Sequence, residues 1–174
     1  MALQSSVSFQ SILGTSHSED VLDVFIDYVC PFSAKMARSI EKNLKPLISG
    51  GGKYDGKVRV IIRLHPQPWH ATSTHTHESV VAVGQVEPSA FWPYTLDLFE
   101  HQEEYYDIPS SKLTALEIRA KLVELASKHV PANKVPLLED LLAFKTTPNG
   151  GTGVTDNLKY NSELFVHYMR CRIP

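Results

Sequence analysis

The fold of this chain is decided by the stretch Val21-Leu22-Asp23-Val24-Phe25-Ile26-Asp27-Tyr28-Val29-Cys30-Pro31-Phe32-Ser33. Its first six residues are apolar apart from Asp23 and form a run too short for most helices, so they predict a buried strand. Pro31 suits the first position of a helix, because its missing N–H would lack a partner there anyway. Cys30 is therefore expected at a helix N-terminus, where free backbone N–H groups and the helix dipole favour a thiolate.

The residues after this motif predict a βαβ unit. Apolar residues recur at helical spacing, at Phe32, Met36, Ile40, Leu44 and Leu47. They predict a helix over 32–45 that Pro46 ends. An apolar run at 57–64 predicts a second strand. Strand, helix and strand within about 45 residues imply a right-handed crossover and parallel pairing.

The rest of the chain is predicted to be mainly helical. At most one short strand is expected before the motif, around Val7 to Ile12. The tract 65–145 is predicted to be an all-helical insertion, in which Thr114 and Glu117 form a capping box at the start of one helix. A loop and a C-terminal helix are expected over 146–174. Residues 1–174 are thus predicted to form a single domain with its βαβ core in 1–64.

Composition narrows the class of protein. The chain has 174 residues, 43% hydrophobic and 21% charged, which suits one domain with a real core. A net charge of -2 without a basic run argues against a nucleic-acid binder. The only cysteines are Cys30 and Cys171, so a reducing compartment is expected rather than a disulfide framework. We see no secretory signal in residues 1–14 and no stretch of membrane-spanning length, and we expect a cytoplasmic protein.

The order of these elements resembles the DsbA-like branch of the thioredoxin superfamily. The resemblance is carried by residues 25–33, the strand at 58–64 and the helices from about 72 to 144. It implies an α/β fold: a thioredoxin-like βαβ core with an all-helical insertion. It also implies thiol–disulfide or glutathione-linked chemistry with Cys30 as the nucleophile. No metal or organic redox cofactor is required, and glutathione is a possible co-substrate.

The chain departs from the family pattern at Ser33. Dithiol members carry a second cysteine at this position, and a serine cannot resolve the mixed disulfide that Cys30 would form. Resolution would need an external thiol such as glutathione, or Cys171 if it lies close; no other role is assigned to Cys171. The Ser33 hydroxyl is expected to hydrogen-bond the Cys30 thiolate, as in monothiol members.

A second departure concerns the C-terminal part of the fold. The family normally returns to the sheet after the insertion through a cis-proline turn, a β-hairpin and a final helix. No apolar strands follow the last predicted helix, so this hairpin is expected to be missing. Two or three strands would then leave an apolar edge and face open. A partner, or a homodimer through the exposed sheet, would cover that surface.

The histidines are the other candidate chemistry. His65, His70, His75 and His77 fall within thirteen residues, and imidazoles are good ligands for zinc, copper or nickel. No cysteine or close carboxylate completes a metal site, so we assign no metal-binding residue. Whether these four histidines bind a metal stays an open question. These histidines would otherwise cap the end of the strand at 58–64 and the start of the next helix.

His65 and His70 follow the C-terminal end of a predicted parallel strand, the edge where open α/β sheets bind ligands. Cys30 follows the same end of its own strand, so these imidazoles could face the sulfur and stabilise its thiolate. Trp69 and Phe32 would supply an apolar wall. Together with Pro31 these are the predicted substrate-binding residues. The alternative for Trp69 is packing under the helical insertion.

These features predict a thiol–disulfide oxidoreductase of the monothiol type. Its partners would be a disulfide-bearing substrate protein or a small thiol, and neither nucleic acid nor a membrane. Two alternatives stay open. One is a catalytically silent binding protein that keeps the fold, and the other is a glutathione-dependent transferase or isomerase.

Overall fold

The computed structural model describes residues 3–170, in which one sheet has three strands in the order β1-β3-β2. These strands are β1 (Ser11–Leu13), β2 (Asp20–Ile26) and β3 (Val58–Leu64). β2 and β3 are parallel along their whole length, which confirms the predicted pairing. β1 runs antiparallel to β3. It follows a 3₁₀-helix, Ser5–Gln10, so the predicted N-terminal strand lies later in the chain than expected.

The helices bear out most of the sequence pattern. The α-helices in the described part of the chain are α1 (Pro31–Ser39), α2 (Lys45–Ile48), α3 (Ser73–Val86), α4 (Phe91–Glu100), α5 (Asp107–Ser110), α6 (Ala115–Ser127), α7 (Val135–Leu142) and α8 (Thr155–Arg170). The predicted capping box is present: the Glu117 N–H donates to Thr114 Oγ1, and the Glu117 carboxylate accepts from the Thr114 N–H. It stabilises the first turn of α6.

The prediction that Pro46 ends the first helix is wrong. α1 continues through a wide π-type turn, Ile40–Leu44, into α2. In that turn the Lys45 N–H donates to the Ile40 carbonyl, five residues back. Because the hydrogen-bond register changes just before it, Pro46 stands in the first turn of α2, where a missing N–H is tolerated. The helix ends two residues later, at Ile48.

The hydrophobic core lies between one face of the sheet and the helical insertion. Val60, Ile62 and Leu64 of β3 are fully buried there. α3 is central to this core and contacts α4, α6, α7 and α8. Because Gly84 has no side chain, the ring of Phe9 can approach α3; a Cβ on Gly84 would lie 2.4 Å from that ring. The N-terminal segment is thereby packed onto the insertion.

A buried ion pair joins two helices of the insertion to the loop before α8. Arg119 on α6 donates from Nη2 to Glu78 Oε2 on α3 at 2.6 Å. The other oxygen of Glu78 accepts from the Thr152 hydroxyl at 3.1 Å. Both charged side chains are almost completely buried, and buried charges are retained only where they are paired.

α8 packs on the second face of the sheet. The ring of Phe25 meets Phe165 and Tyr168 edge-on, with ring centres 5.4 and 5.5 Å apart. Arg63 donates from Nε to Asp23 at 2.6 Å, and the Tyr168 hydroxyl donates to the same carboxylate. The open apolar face expected from the sequence is therefore not found, because α8 covers it.

The outer edge of β2 remains without a neighbouring strand within residues 3–170. Val21 and Leu22 are 52% and 42% exposed there. Over the same residues no strand follows β3 and no peptide bond is cis, so the family's cis-proline turn and hairpin are not seen. A homodimer through this edge stays a prediction. No helix in the described part is long and apolar enough to span a bilayer.

Candidate functional site

Cys30 is partly exposed and is the N-cap residue of α1, directly after the turn that follows β2. Its backbone is extended, with φ −83° and ψ 121°, and its carbonyl accepts the Ala34 N–H at 3.2 Å. The Cys30 N–H donates to the Asp27 carbonyl at 3.1 Å. Pro31 is the first residue of the helix. The predicted placement of Cys30 at a helix start is therefore found.

Asp27 lies three residues before Cys30, and its carboxylate accepts four hydrogen bonds from surrounding residues. The sequence analysis did not single it out. Its side chain is 1% exposed. One carboxylate oxygen accepts from the Val29 N–H and the Ser73 hydroxyl, both at 2.8 Å. The other accepts from the Gln67 N–H and from His70 Nδ1, both at 2.9 Å. The carboxylate thus ties the end of β2 to the start of α3.

The environment of Asp27 favours its charged form. Burial alone would raise the pKa of this carboxyl, but the nearby His77 and the donors from Val29, His70 and Gln67 hold that pKa below its ordinary value of 3.8. The sequence did carry one signal: a charged residue directly after a buried strand must find partners when it is buried. Those partners could not be named from the sequence.

Ser33 does not contact the Cys30 sulfur through a hydrogen bond. The Ser33 side chain is buried, and its Oγ accepts the Asp27 N–H at 3.1 Å. Within residues 3–170, no hydrogen bond joins this hydroxyl to Cys30, so the bond expected for a monothiol site is not formed in this conformation. Ser33 instead fixes the first turn of α1 to the end of β2.

An open, mainly apolar groove of about 420 Å³ lies beside Cys30. Its lining comes from the Cys30 turn, the loop before α3 and the start of α5: Val29, Pro31, His70, Tyr106, Asp107, Ile108 and Pro109. Val29 and Pro31 are the neighbours of Cys30 in the chain, so the groove opens beside the Cys30 turn, although Cys30 is not itself one of the lining residues. The predicted residues Pro31 and His70 are thus brought together at one surface.

Tyr106 is a groove residue that the sequence analysis missed. Burial raises the pKa of Tyr106, and the charges of Glu103 and Cys30 raise it further. The phenol therefore stays protonated and keeps a hydrogen-bond donor on the side of the groove near the cysteine. No sequence signal pointed to it, because the contact depends on how the insertion folds back over the Cys30 turn.

The remaining predicted binding residues lie elsewhere. Phe32 and Trp69 are 73% and 67% exposed, and neither lines the groove. The alternative in which Trp69 packs under the insertion is therefore wrong. His65 stacks on Phe165 of α8, with ring centres 3.7 Å apart, and it does not line the groove. A binding role for these three residues stays a prediction.

The histidine cluster is spread over different environments. His70 binds Asp27. His77 is fully buried, with Nδ1 2.7 Å from the Ser73 carbonyl. His75 is partly buried on α3. In the part of the chain that the structure describes, no three His, Cys, Asp or Glu side chains are arranged to hold a metal ion. Cys171 lies outside the described residues.

The stability of the fold is expected to fall on acidification because of the fully buried ring of His77 and the partly buried ring of His65. Burial lowers the pKa of His77 and His65 below the 6.5 of an exposed histidine. As the pH falls, these histidines therefore take up protons in the unfolded chain before they do so in the folded protein. The stabilising contribution of the two neutral rings is complete above pH 6.5 and is lost as the pH falls below it. Thermal unfolding followed between about pH 7.5 and 5.5 checks this result.

The variant His77→Phe keeps a buried ring that cannot titrate, so its melting temperature should depend less on pH than that of the wild type. Exposed His17 provides the matched control, since His17→Phe should retain the full dependence. A melting temperature that stays constant over this interval, or equal slopes for all three proteins, would contradict the expectation.

The fold and the cysteine at its helix start define a class, the DsbA-like form of the thioredoxin fold, and solved structures confirm that fold. The chain is similar to a candidate protein-disulfide isomerase from Pseudomonas syringae, with TM-score 0.63 and 21% identity over 95% of this chain and 80% of that one. It is also similar to MdbA, a thiol-disulfide oxidoreductase from Corynebacterium diphtheriae, with TM-score 0.60 and 15% identity over 90% and 73%. No family model and no curated protein match the sequence. At these identities the likeness establishes the fold, and function has to be argued from the site.

Proposed function

We propose that this protein is a thiol–disulfide oxidoreductase of the monothiol type with Cys30 as its nucleophile. The observation that carries the proposal is the position of Cys30, partly exposed at the N-terminus of α1 and beside an open apolar groove. Backbone N–H groups and the helix dipole favour the thiolate at such a position. The similar structures from Pseudomonas and Corynebacterium bear names from the same chemistry, which supports the proposal.

Ser33 determines the type of reaction. The Cys30 thiolate attacks one sulfur of a disulfide, forms a mixed disulfide and releases the other sulfur as a thiolate. The Ser33 hydroxyl cannot attack that mixed disulfide, so another thiol, either external or that of Cys171, must release Cys30. We propose glutathione as this thiol, glutathione mixed disulfides as the substrates and the reducing cytoplasm as the compartment.

The groove supports binding of apolar groups next to the reacting sulfur. Ile108 on its rim is 88% exposed, and the exposed Pro31 and Pro109 add further apolar surface. Residues 3–170 contain no cis-proline turn, and the proposed contacts to the substrate come from this groove and from the free edge of β2. If the substrate cysteine is flanked by apolar residues, those residues would be buried in the groove. Such burial contributes about 25 cal/mol per Å² of apolar surface.

A turnover assay tests the proposed function. The protein is mixed with excess glutathione and a peptide whose single cysteine is glutathionylated and flanked by apolar residues. Glutathione disulfide should form faster than without protein. Acid quenching followed by mass spectrometry should show one glutathionyl group on the peptide that contains Cys30. A rate equal to that without protein, with no adduct on Cys30, would contradict the proposal.

The alternative of a catalytically silent binding protein is favoured by one observation, the lack of a cis-proline turn within the described residues. In the family this turn lies against the active cysteine, so a site formed by residues 3–170 alone would have a weaker substrate clamp. Binding of the same peptide without turnover would support this alternative. A glutathione-dependent transferase would instead conjugate glutathione to an electrophile and leave the peptide disulfide intact.

A further inference from the structure

His70 is held in one orientation by Asp27. Its Nδ1 lies 2.9 Å from Asp27 Oδ2, and that carboxylate also accepts three other hydrogen bonds, from Val29, Ser73 and Gln67. A carboxylate only accepts, so Nδ1 must carry a proton. In the neutral ring Nε2 is then the nitrogen without a proton, an assignment that rests on the hydrogen bonding. No other hydrogen bond to this ring is formed by residues 3–170.

The ring of His70 is also accessible from the groove beside Cys30. Its side chain is 20% exposed and shares the groove lining with Val29 and Pro31, which flank the cysteine. Asp27 lies behind it, and Tyr106 and Asp107 line the same groove. A group bound to Cys30 in this groove would therefore lie next to an imidazole with one uncommitted nitrogen.

We propose that His70 is the general acid–base of the exchange reaction, protonating the leaving thiolate through Nε2, and that Asp27 is its positioning residue. This inference rests on the proposed function, since it concerns the proton balance of the reaction at Cys30. The other histidines near the strand ends are unsuited: His77 is fully buried and His65 is stacked on Phe165. Among residues 3–170, the Asp27–His70 pair is the one that combines a fixed tautomer with access to the groove.

The steps balance in atoms and protons. The Cys30 thiolate attacks the glutathionyl sulfur of a mixed disulfide, forming the Cys30–glutathione disulfide and breaking the original S–S bond. The departing thiolate takes the proton from Nε2 of the His70 imidazolium and leaves as a thiol. His70, now neutral, accepts the thiol proton of an incoming glutathione. That glutathione thiolate attacks the Cys30-bound glutathione, releasing glutathione disulfide and the Cys30 thiolate.

The test compares two reagents that give the same product on the protein. Glutathione disulfide and the mixed disulfide of glutathione with 5-thio-2-nitrobenzoate both leave a glutathionyl group on Cys30. The first must release an alkyl thiolate, a poor leaving group, while the second releases an aromatic thiolate that leaves well without a proton. Formation of the adduct on the Cys30 peptide is followed by quenched mass spectrometry for the full chain.

His70→Ala is expected to slow the reaction with glutathione disulfide by roughly 10-fold or more. The same variant should react with the nitrobenzoate reagent within about twofold of the wild type, because general acid catalysis contributes little there. Added imidazole should restore part of the lost rate with glutathione disulfide. His101→Ala is the matched control: His101 Nδ1 lies 2.9 Å from the Asp97 carbonyl oxygen and 3.2 Å from a carboxylate oxygen of the same residue, but its ring lines a different pocket.

Equal slowing with both reagents would show that His70 only shapes the site, and an unchanged rate with glutathione disulfide would show that it has no part in the reaction. Either result overturns the inference and leaves the proposed function standing. A wild-type Cys30 that reacts with neither reagent contradicts the proposed function, and the inference with it. Circular dichroism of His70→Ala shows whether the loop change has altered the fold.

Discussion

Cys30→Ser is expected to lower the rate of turnover of a glutathionylated peptide by roughly 10³-fold or more. The hydroxyl of serine is a far weaker nucleophile than a thiolate and cannot form the mixed disulfide on which every later step depends. Since Cys30 is partly exposed and its side chain caps no helix N–H, the exchange of sulfur for oxygen should change stability by no more than about 0.5 kcal/mol. Rates of glutathione disulfide formation, with circular dichroism for the fold, measure both effects.

Cys171→Ser separates the two ways in which the mixed disulfide can be resolved. If glutathione resolves it, this variant turns over at the wild-type rate and the reaction rate rises with glutathione concentration. If Cys171 resolves it, the variant accumulates the Cys30–glutathione adduct and the wild type forms a disulfide between the two cysteines. Turnover that survives in Cys30→Ser would contradict the assignment of the nucleophile.

The parts of the fold that the sequence predicted correctly are those specified by neighbouring residues. The β2 strand, the helix start at Pro31 and the Thr114 capping box each depend on contacts within a few positions. Parallel pairing of β2 with β3 follows from the order strand, helix, strand. The exception within this set is Pro46, because a proline ends a helix only when the preceding turn keeps its regular register.

The parts that were missed depend on contacts between distant residues. Asp27 meets His70 and Ser73 across 43 and 46 positions in the chain, and no periodicity reports such a contact. The helical pattern of α8 likewise says nothing about which face of the sheet it will cover. The groove was located only in part, since Pro31 and His70 were named but Tyr106 and Ile108 come from the fold of the insertion.

Asp27→Asn is expected to lower the free energy of unfolding by about 3 kcal/mol. The substitution keeps the size of the side chain but replaces one hydrogen-bond-accepting oxygen with an NH₂ group. This NH₂ group is itself a donor and would face the donors that the oxygen accepted from. At least one backbone donor, either the Val29 N–H or the Gln67 N–H, then lacks an acceptor, because the Ser73 hydroxyl and the His70 ring can turn to accept but a backbone N–H cannot. Urea denaturation at neutral pH measures the loss.

Asp55 provides the matched control, because it is exposed and accepts one backbone hydrogen bond, from Gly51 at 2.8 Å. Asp55→Asn should cost less than about 1 kcal/mol. The pKa of Asp27 in the folded protein lies below 3.8, so its contribution is present above that pH and is lost as the pH falls through the folded value. The difference in stability between the wild type and Asp27→Asn should therefore narrow below about pH 4. A difference that is small at neutral pH, or equal to that of Asp55→Asn, would mean that this carboxylate does not organise the turn around Cys30.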